Sequence, residues 1–250
     1  MTDMELNLRW EPRGPSQADD ARRFSDFVTG LSDFDPIYQS WLESPESRKE
    51  TVPVPLSEAQ AKQLLVDNMA HYDSPADRPW PEHGSVIWGG HAGPPPYDFR
   101  KSSYADTYCH IGAFGPPLMF RNYIKMRLSE PRSTAGRPWR ASELRPLMKF
   151  VREIWDPAEM CAMFSFYDPP KISDPTWAAG ERRLTPWIGW ITYLPPDLAA
   201  RAQYPADVEV EVLEDGGALV TLCEELFERN DAEGLARLHA LEAALRPIQS

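Results

Sequence analysis

The stretch "FRNYIKMRL", residues 120–128, alternates between two kinds of side chain along its whole length. The even positions are Phe120, Asn122, Ile124, Met126 and Leu128, and the odd positions are Arg121, Tyr123, Lys125 and Arg127. Because successive side chains of a β-strand point to opposite faces, this period of two predicts a strand with one buried and one wet face. The N-terminal residues 4–10 alternate in the same way. One wet face is typical of an antiparallel sheet, so both patterns predict that kind of sheet.

A glycine turn near the C-terminus gives a further strand signal. Asp215, Gly216 and Gly217 lie between "VEVEVL" and "ALVTLC", and this arrangement predicts a tight β-hairpin. The glycines therefore close a hairpin and do not open a helix over a phosphate. Apolar or alternating runs predict the remaining strands, which are "SVIWGG", "DTYCHIGAFG", "EMCAMFSFYD" and "WIGWITYL".

Four segments have the apolar spacing of helices. They contain "SQADDARRFSDFVTGL", "PLSEAQAKQLLVDNMAHY", "SELRPLMKFVREIW" and the C-terminal run through Leu235, Leu238, Leu241 and Leu245. Ser57 with Gln60 predicts a capped start for the second helix, and Asp231 predicts the cap of the last one. Helices thus interrupt the strands irregularly. We predict an α+β fold in which helices pack on a mostly antiparallel sheet, as a single domain over residues 1–250.

The formal net charge of −12 limits the classes of partner. A chain this acidic repels nucleic-acid phosphates and anionic lipid, and it attracts a basic partner. The alternative to a basic partner is that the negative surface only keeps the protein soluble. Cys109, Cys161 and Cys223 form no CxxC pair and are predicted to be reduced, buried thiols. The sequence has no signal-peptide pattern and no long apolar run, so we expect a cytoplasmic protein without membrane contact.

The residue patterns of known catalytic and metal sites are weak here. His71, Asp73, Asp77 and His83 lie in a proline-rich stretch at irregular spacing, which favours a solvated loop over a zinc site. His91 and His110 are isolated histidines near predicted strands, and each is predicted to be a hydrogen-bonded structural residue. The chain has no GxSxG elbow and no phosphate-binding glycine loop. We expect no cofactor or metal, and one alternative stays open, a metal-dependent hydrolase that uses His71 or His91 with nearby carboxylates.

The segment "CEELFERND" carries Glu224, Glu225 and Glu228. If it were helical, Glu224 and Glu228 would share one face. The sequence supplies no partner that would separate their pKa values, as acid/base catalysis requires. A wet acidic surface that meets a cation is therefore the favoured interpretation.

The order of these landmarks resembles the bacterial immunity protein 52 family, whose members are encoded beside polymorphic toxins. The matching pieces are "LSDFDPIYQSWLES", "VIWGG", "REIWDP", "TPWIGWITYLP" and "LEDGGALVTLCEELFERND", and they are spread over nearly the whole chain. The resemblance implies a cytoplasmic α+β protein without enzymatic activity. Such a protein would bind and neutralise a cognate toxin, in several contexts a nuclease of restriction-endonuclease type exported by a type VI secretion system.

The resemblance transfers no catalytic residues, so the contact residues are predicted from chemistry. Acidic side chains would steer a basic toxin and aromatic side chains would anchor it. The candidates for partner contact or for shaping the site are Asp33, Asp35, Trp41, Trp88, Glu224, Glu225 and Glu228. Trp155 and Trp190 are predicted to be core residues instead. A one-to-one complex, a homodimer and an adaptor role in a secretion system all stay open.

Overall fold

The computed structural model describes residues 4–11, 13, 17–43, 51–71, 78–91, 105–114, 122–128, 138–164 and 188–248. The strands within these ranges are β1 (Met4–Trp10), β2 (Trp41–Glu43), β3 (Thr51–Val52), β4 (Ser85–His91), β5 (Ala105–Ile111), β6 (Asn122–Leu128), β7 (Glu159–Phe164), β8 (Ile191–Leu194), β9 (Glu209–Val212) and β10 (Ala218–Thr221). The α-helices are α1 (Gln17–Leu31), α2 (Glu58–Asp67), α3 (Ala141–Trp155), α4 (Pro196–Ala199) and α5 (Ala232–Leu245). Short 3-10 helices occupy Pro36–Gln39, Pro81–His83 and Arg246–Ile248. None of the helices in the described ranges has the length and apolar character needed to cross a membrane.

The strands form one sheet in the order β3-β2-β4-β5-β6-β1-β7-β8-β10-β9. All of its neighbouring strands pair antiparallel. The prediction of an α+β fold with a mostly antiparallel sheet is confirmed. β1 comes first in the chain but lies inside the sheet, between β6 and β7. The sheet is therefore completed by contacts between residues that are far apart in sequence.

One face of the sheet carries the hydrophobic core. Leu6 lies between Met126 and Ala162 on the neighbouring strands, and all three are fully buried. On the same face Trp10 stacks on Trp155 of α3, with the ring centroids 4.8 Å apart. This is the side that the alternation in β6 predicts to be buried, and the core position predicted for Trp155 is confirmed.

The solvent exposure of the opposite face changes along the sheet. Tyr123, Lys125 and Arg127 of β6 are half-buried there, as the sequence pattern predicts for the wet side of the strand. Toward β10 the same face is closed, because Thr192 of β8 and Val220 of β10 are both fully buried. β6 therefore presents a half-exposed polar face, whereas β8 and β10 are covered on both sides.

The helix boundaries follow local side-chain chemistry. Ser57 accepts a hydrogen bond from the Gln60 amide at 3.3 Å, and the Gln60 side chain accepts one from the Ser57 amide at 3.1 Å, so the predicted capping box is present. At α5, the Asp231 carboxylate accepts from the amides of Glu233 and Gly234. Both predicted caps are confirmed.

The second helix is shorter than its apolar pattern predicts. The pattern runs to Tyr72, but α2 ends at Asp67. Asn68 leaves the helix, and its carbonyl accepts a hydrogen bond from the Val86 amide at 2.9 Å. Met69 then forms an isolated bridge with Ser85. Pairing with β4 thus replaces the last helical turn.

Candidate partner-binding surface

Negative charge is concentrated in one short part of the chain. Residues 205–233 contain ten acidic residues and one basic residue, Arg229, which gives a local net charge of −9 out of the total of −12. The acidic residues are Asp207, Glu209, Glu211, Glu214, Asp215, Glu224, Glu225, Glu228, Asp231 and Glu233. All except Glu211 are exposed, and Glu211 is half-buried. We call residues 205–233 the acidic segment.

The first half of the acidic segment is the hairpin of β9 and β10. The Leu213 amide donates to the Gly217 carbonyl at 2.7 Å, and the Gly216 amide donates back to the Leu213 carbonyl at 2.9 Å. Gly216 has a positive φ of 88°, which glycine adopts without steric strain. The predicted glycine turn is therefore confirmed.

Three ion pairs attach this hairpin to α3. Arg145 pairs with Glu209, Lys149 pairs with Glu211, and Arg152 pairs with Asp215. The three basic residues lie four and three positions apart, so they form one stripe along the helix. The stripe fixes the edge of the sheet against α3 and offsets part of the negative charge.

The second half of the acidic segment is extended and not helical. The backbone of Glu225 forms an isolated antiparallel β-bridge with Arg140, and the Ala141 amide donates to the Glu224 carbonyl at 2.7 Å. The condition under which Glu224 and Glu228 would share a helix face is not met, because backbone pairing with residues 139–141 takes the place of helical hydrogen bonds.

The side chains of this half meet the start of α3. Ser142 donates to the Glu224 carboxylate at 2.5 Å, and Arg140 lies 3.4 Å from the Glu225 carboxylate. Glu228 is also exposed. All three carboxylates are thus accessible to a partner, although Glu224 and Glu225 already have local contacts. These contacts hold them in place at the surface.

The two aspartates predicted near α1 have different roles in the fold. Asp33 is exposed in the turn that follows α1. Asp35 is half-buried, and its carboxylate accepts a hydrogen bond from the Ile37 amide at 2.8 Å, which caps the following 3-10 helix. Asp35 is therefore held by its own backbone, while Asp33 is presented to solvent.

The two predicted tryptophan anchors lie on opposite faces of the sheet. Trp88 is 44% exposed, as a contact residue must be. Trp41 is only 1% exposed and packs edge-on against Phe24 of α1 and the His91 ring. Trp41 can shape the site from beneath, but the interpretation of this residue as a surface anchor is wrong.

Trp88 belongs to an aromatic and polar patch that the sequence reasoning missed. In the strand register Trp88 lies opposite Tyr108 of β5, and Tyr108 lies opposite Lys125 of β6. Tyr108 stacks on Tyr123 with the ring centroids 5.5 Å apart. Burial, followed by a hydrogen bond to Tyr108, raises the pKa of Tyr123, so this hydroxyl stays neutral. The alternation in β4 and β5 was the available signal for this patch, but the strand pairing was needed to assemble it.

The histidines have structural contacts. His91 is fully enclosed, with Nδ1 3.1 Å from the Ser40 carbonyl and Nε2 3.0 Å from the Thr107 hydroxyl, and burial lowers its pKa to about 4. His110 stacks on His83, with Nε2 of His110 3.0 Å from Nδ1 of His83. The structural roles predicted for His91 and His110 are confirmed.

The described residues hold no group of three or more potential metal ligands. His71 is exposed, and its backbone forms a bridge with Pro79. Asp73 and Asp77 of the weak metal pattern lie outside the described residues.

The cysteines are free thiols with raised pKa values. Cys109 and Cys161 are buried, and burial raises the pKa of Cys161 to about 12. Cys223 is only half-buried, which departs from the prediction of a buried thiol. Its sulfur lies 3.1 Å from the Glu225 carbonyl. Burial raises the Cys223 pKa as well, so all three are poor nucleophiles.

Comparison with known protein families gives a match over most of the chain. The model of a family described as Immunity protein 52 matches residues 7–246. Among solved structures, the Pseudomonas aeruginosa T6SS protein PA0821 aligns with a TM-score of 0.49 at 12% sequence identity, over 98% of this chain and 76% of that chain. A search of curated protein sequences gave no match.

Proposed function

The chain belongs to the immunity protein 52 family, and from that premise we propose that it binds a cognate toxin and blocks the toxin's activity. The family match, which covers nearly the whole chain, is the observation that carries the proposal. In this proposal the protein acts in the cytoplasm by occupying a surface of the toxin, and it turns over no substrate.

We propose further that the toxin is a basic nuclease of restriction-endonuclease type, delivered by a type VI secretion system. Nucleases need positive charge where they hold phosphates, so an inhibitor that covers such a site gains from negative charge. The acidic segment supports this assignment because it carries −9 of the net charge of −12 on mostly exposed side chains.

Opposite charge would also increase the rate of encounter. Steering by complementary fields raises association rate constants by factors of roughly 10 to 1000, and this gain falls as the ionic strength rises. A toxin must be stopped before it cuts, so a fast encounter suits this role. We therefore propose Glu224, Glu225 and Glu228 as steering residues, with Asp33 as a further acidic contact.

Aromatic residues would hold the complex once it has formed. Trp88 is the described tryptophan with the largest exposed fraction, and Tyr108 lies beside it on the next strand. Large aromatic side chains contribute a disproportionate share of binding energy when a partner covers them. Asp35 and Trp41 are proposed to shape the fold and not to contact the toxin, since Asp35 caps its own backbone and Trp41 is buried.

Co-expression tests the proposal. The toxin domain encoded in the reading frame beside this chain's gene is induced in bacteria, alone and together with this protein. We expect growth to stop with the toxin alone and to recover with the pair, and we expect the two purified proteins to elute together. Growth arrest that persists at equal expression, with no complex by gel filtration, would contradict the proposal.

A further inference from the structure

The sheet ends at β9, which has a partner on one side only among the described strands. An edge strand presents a row of backbone N–H and C=O groups that can pair with another strand. The turn sets which groups of β9 point outward, because the Leu213 amide donates to the Gly217 carbonyl and the Leu213 carbonyl accepts from the Gly216 amide. Both backbone groups of Leu213 thus face the β10 side. In an antiparallel ladder this direction alternates along the strand, so Glu209 and Glu211 also direct their backbone groups toward β10. The groups of Val210 and Val212 therefore point outward.

The side chains of β9 also divide into two sets. Glu209 and Glu211 point toward α3, where Arg145 and Lys149 pair with them through Oε1 of each carboxylate. The valines point to the opposite face, and Val212 is 72% exposed, the highest value among the exposed large hydrophobic residues described. The edge therefore combines outward backbone groups, an exposed apolar side chain and carboxylates whose Oε2 atoms can accept further hydrogen bonds.

Charge decides which strand can pair with this edge. When two strands pair, residues on the same face lie next to each other, and like charges in those positions are destabilising. In a second copy of this chain, Glu209 and Glu211 would lie beside the same two carboxylates. Arg145 and Lys149 offset these two charges in part, but the acidic segment keeps an excess of negative charge around the edge. A strand with basic residues at alternate positions is therefore favoured over a second copy of this chain.

We propose that β9 is a docking edge, and that a strand of the cognate toxin with Lys or Arg at every second residue adds to the sheet there. The basic side chains lie beside Glu209 and Glu211, and the intervening small or apolar side chains lie beside Val210 and Val212. The inference rests on the proposed function, since it names how the toxin is held. The ion pairs with α3 keep β9 extended before the partner arrives, so less conformational freedom is lost on binding.

Hydrogen exchange of single amides, measured by NMR, tests this pairing. In the free protein we expect fast exchange at Val210 and Val212 and slow exchange at Glu209 and Glu211, because only the latter amides donate to β10. With the toxin domain from the adjacent reading frame bound, we expect exchange at both valines to slow by at least about tenfold. A stable complex in which both valine amides exchange at their free rates would overturn the docking edge while leaving the proposed function intact. Failure to form any complex would overturn both.

Two substitutions give an independent readout. Val212→Pro removes the outward N–H at a position where an edge strand tolerates proline, and Val212→Lys replaces the exposed apolar side chain by a charge that would lie beside the small or apolar residues of the added strand. We expect each to weaken toxin binding by roughly tenfold or more. Val66→Lys makes the same chemical change at a 44% exposed valine on α2 and should leave affinity unchanged. Unchanged affinity in both Val212 variants, with normal thermal unfolding, would refute the proposal.

Discussion

Gly89 of β4 lies directly against the indole of Trp41, with no room for a side chain between them. A β-carbon placed on Gly89 would lie 2.0 Å from Cε2 and 2.1 Å from Nε1 of Trp41. The indole cannot swing away, because it packs against Phe24 and His91. The glycine pair of "VIWGG" is thus explained at Gly89 by close packing and not by a phosphate site.

Gly89→Ala should therefore destabilise the fold. Overpacking of a filled core typically costs about 1–3 kcal/mol, and the rigid contact here places the expected loss at the upper end of that range. Urea unfolding measures the change in the free energy of unfolding. Trp88→Ala on the same strand serves as the control and should cost less, since Trp88 is 44% exposed. A Gly89→Ala variant as stable as the parent would show that the indole can move.

His91 predicts a loss of stability in acid. Burial lowers its pKa to about 4 in the folded protein, against 6.5 for an ordinary histidine. Between these values the unfolded chain binds the proton and the folded chain does not, so stability falls as the pH drops from 6.5 toward 4. The shift corresponds to on the order of 3 kcal/mol.

The measurement compares urea unfolding of the parent and of His91→Gln at several pH values. The parent should lose more stability than the variant between pH 6.5 and pH 4, because glutamine does not titrate. The groups that face His91 are Tyr38, Trp41, the Ser40 carbonyl and Thr107, and none of them titrates in this window. Parallel pH curves for the two proteins would contradict the assignment to His91.

Asp215 has two roles that substitution can separate. Its carboxylate pairs with Arg152 of α3, and its Oδ1 accepts a hydrogen bond from the Gly217 amide at 3.1 Å. Asp215→Asn keeps the turn hydrogen bond and removes the charge, so we expect a loss of about 0.5–1 kcal/mol that shrinks in about 1 M salt. Asp215→Ala removes both contacts and should cost more at every salt concentration. Equal losses for the two variants would mean that the turn hydrogen bond contributes nothing.

The elements that were predicted from the sequence are those specified by nearby residues. The alternation of β6, the glycine turn before β10, and the caps Ser57 and Asp231 each depend on residues within a few positions. Local chemistry is enough to form them, so a single sequence displays them.

The features that were missed depend on contacts between distant parts of the chain. α2 ends early because Asn68 and Met69 pair with β4, and Trp41 is buried because β2 lies beside β4 under α1. The patch of Trp88 and Tyr108 exists only once β4 and β5 are in register. Spacing along the chain carries no signal for strand order, so these positions could be described only after the sheet was known.

The acidic segment itself can be tested by comparing variants of equal net charge. Replacing Glu224, Glu225 and Glu228 by Lys reverses three local negative charges. We expect association with the toxin to slow by roughly tenfold at low salt. The salt dependence of the rate should weaken too, because fewer opposite charges remain to be screened. The matched control replaces three exposed acids elsewhere, Glu11, Glu82 and Glu153, by Lys.

Both variants change the formal net charge from −12 by the same amount, so a difference between them reports position and not total charge. Stopped-flow mixing at several salt concentrations gives the rate constants, and circular dichroism verifies that each variant is folded. Local steering predicts that only the first variant is slow. If both are slowed equally, the charge of the whole molecule attracts the toxin, and if neither is slowed, Glu224, Glu225 and Glu228 lie away from the path by which the toxin approaches.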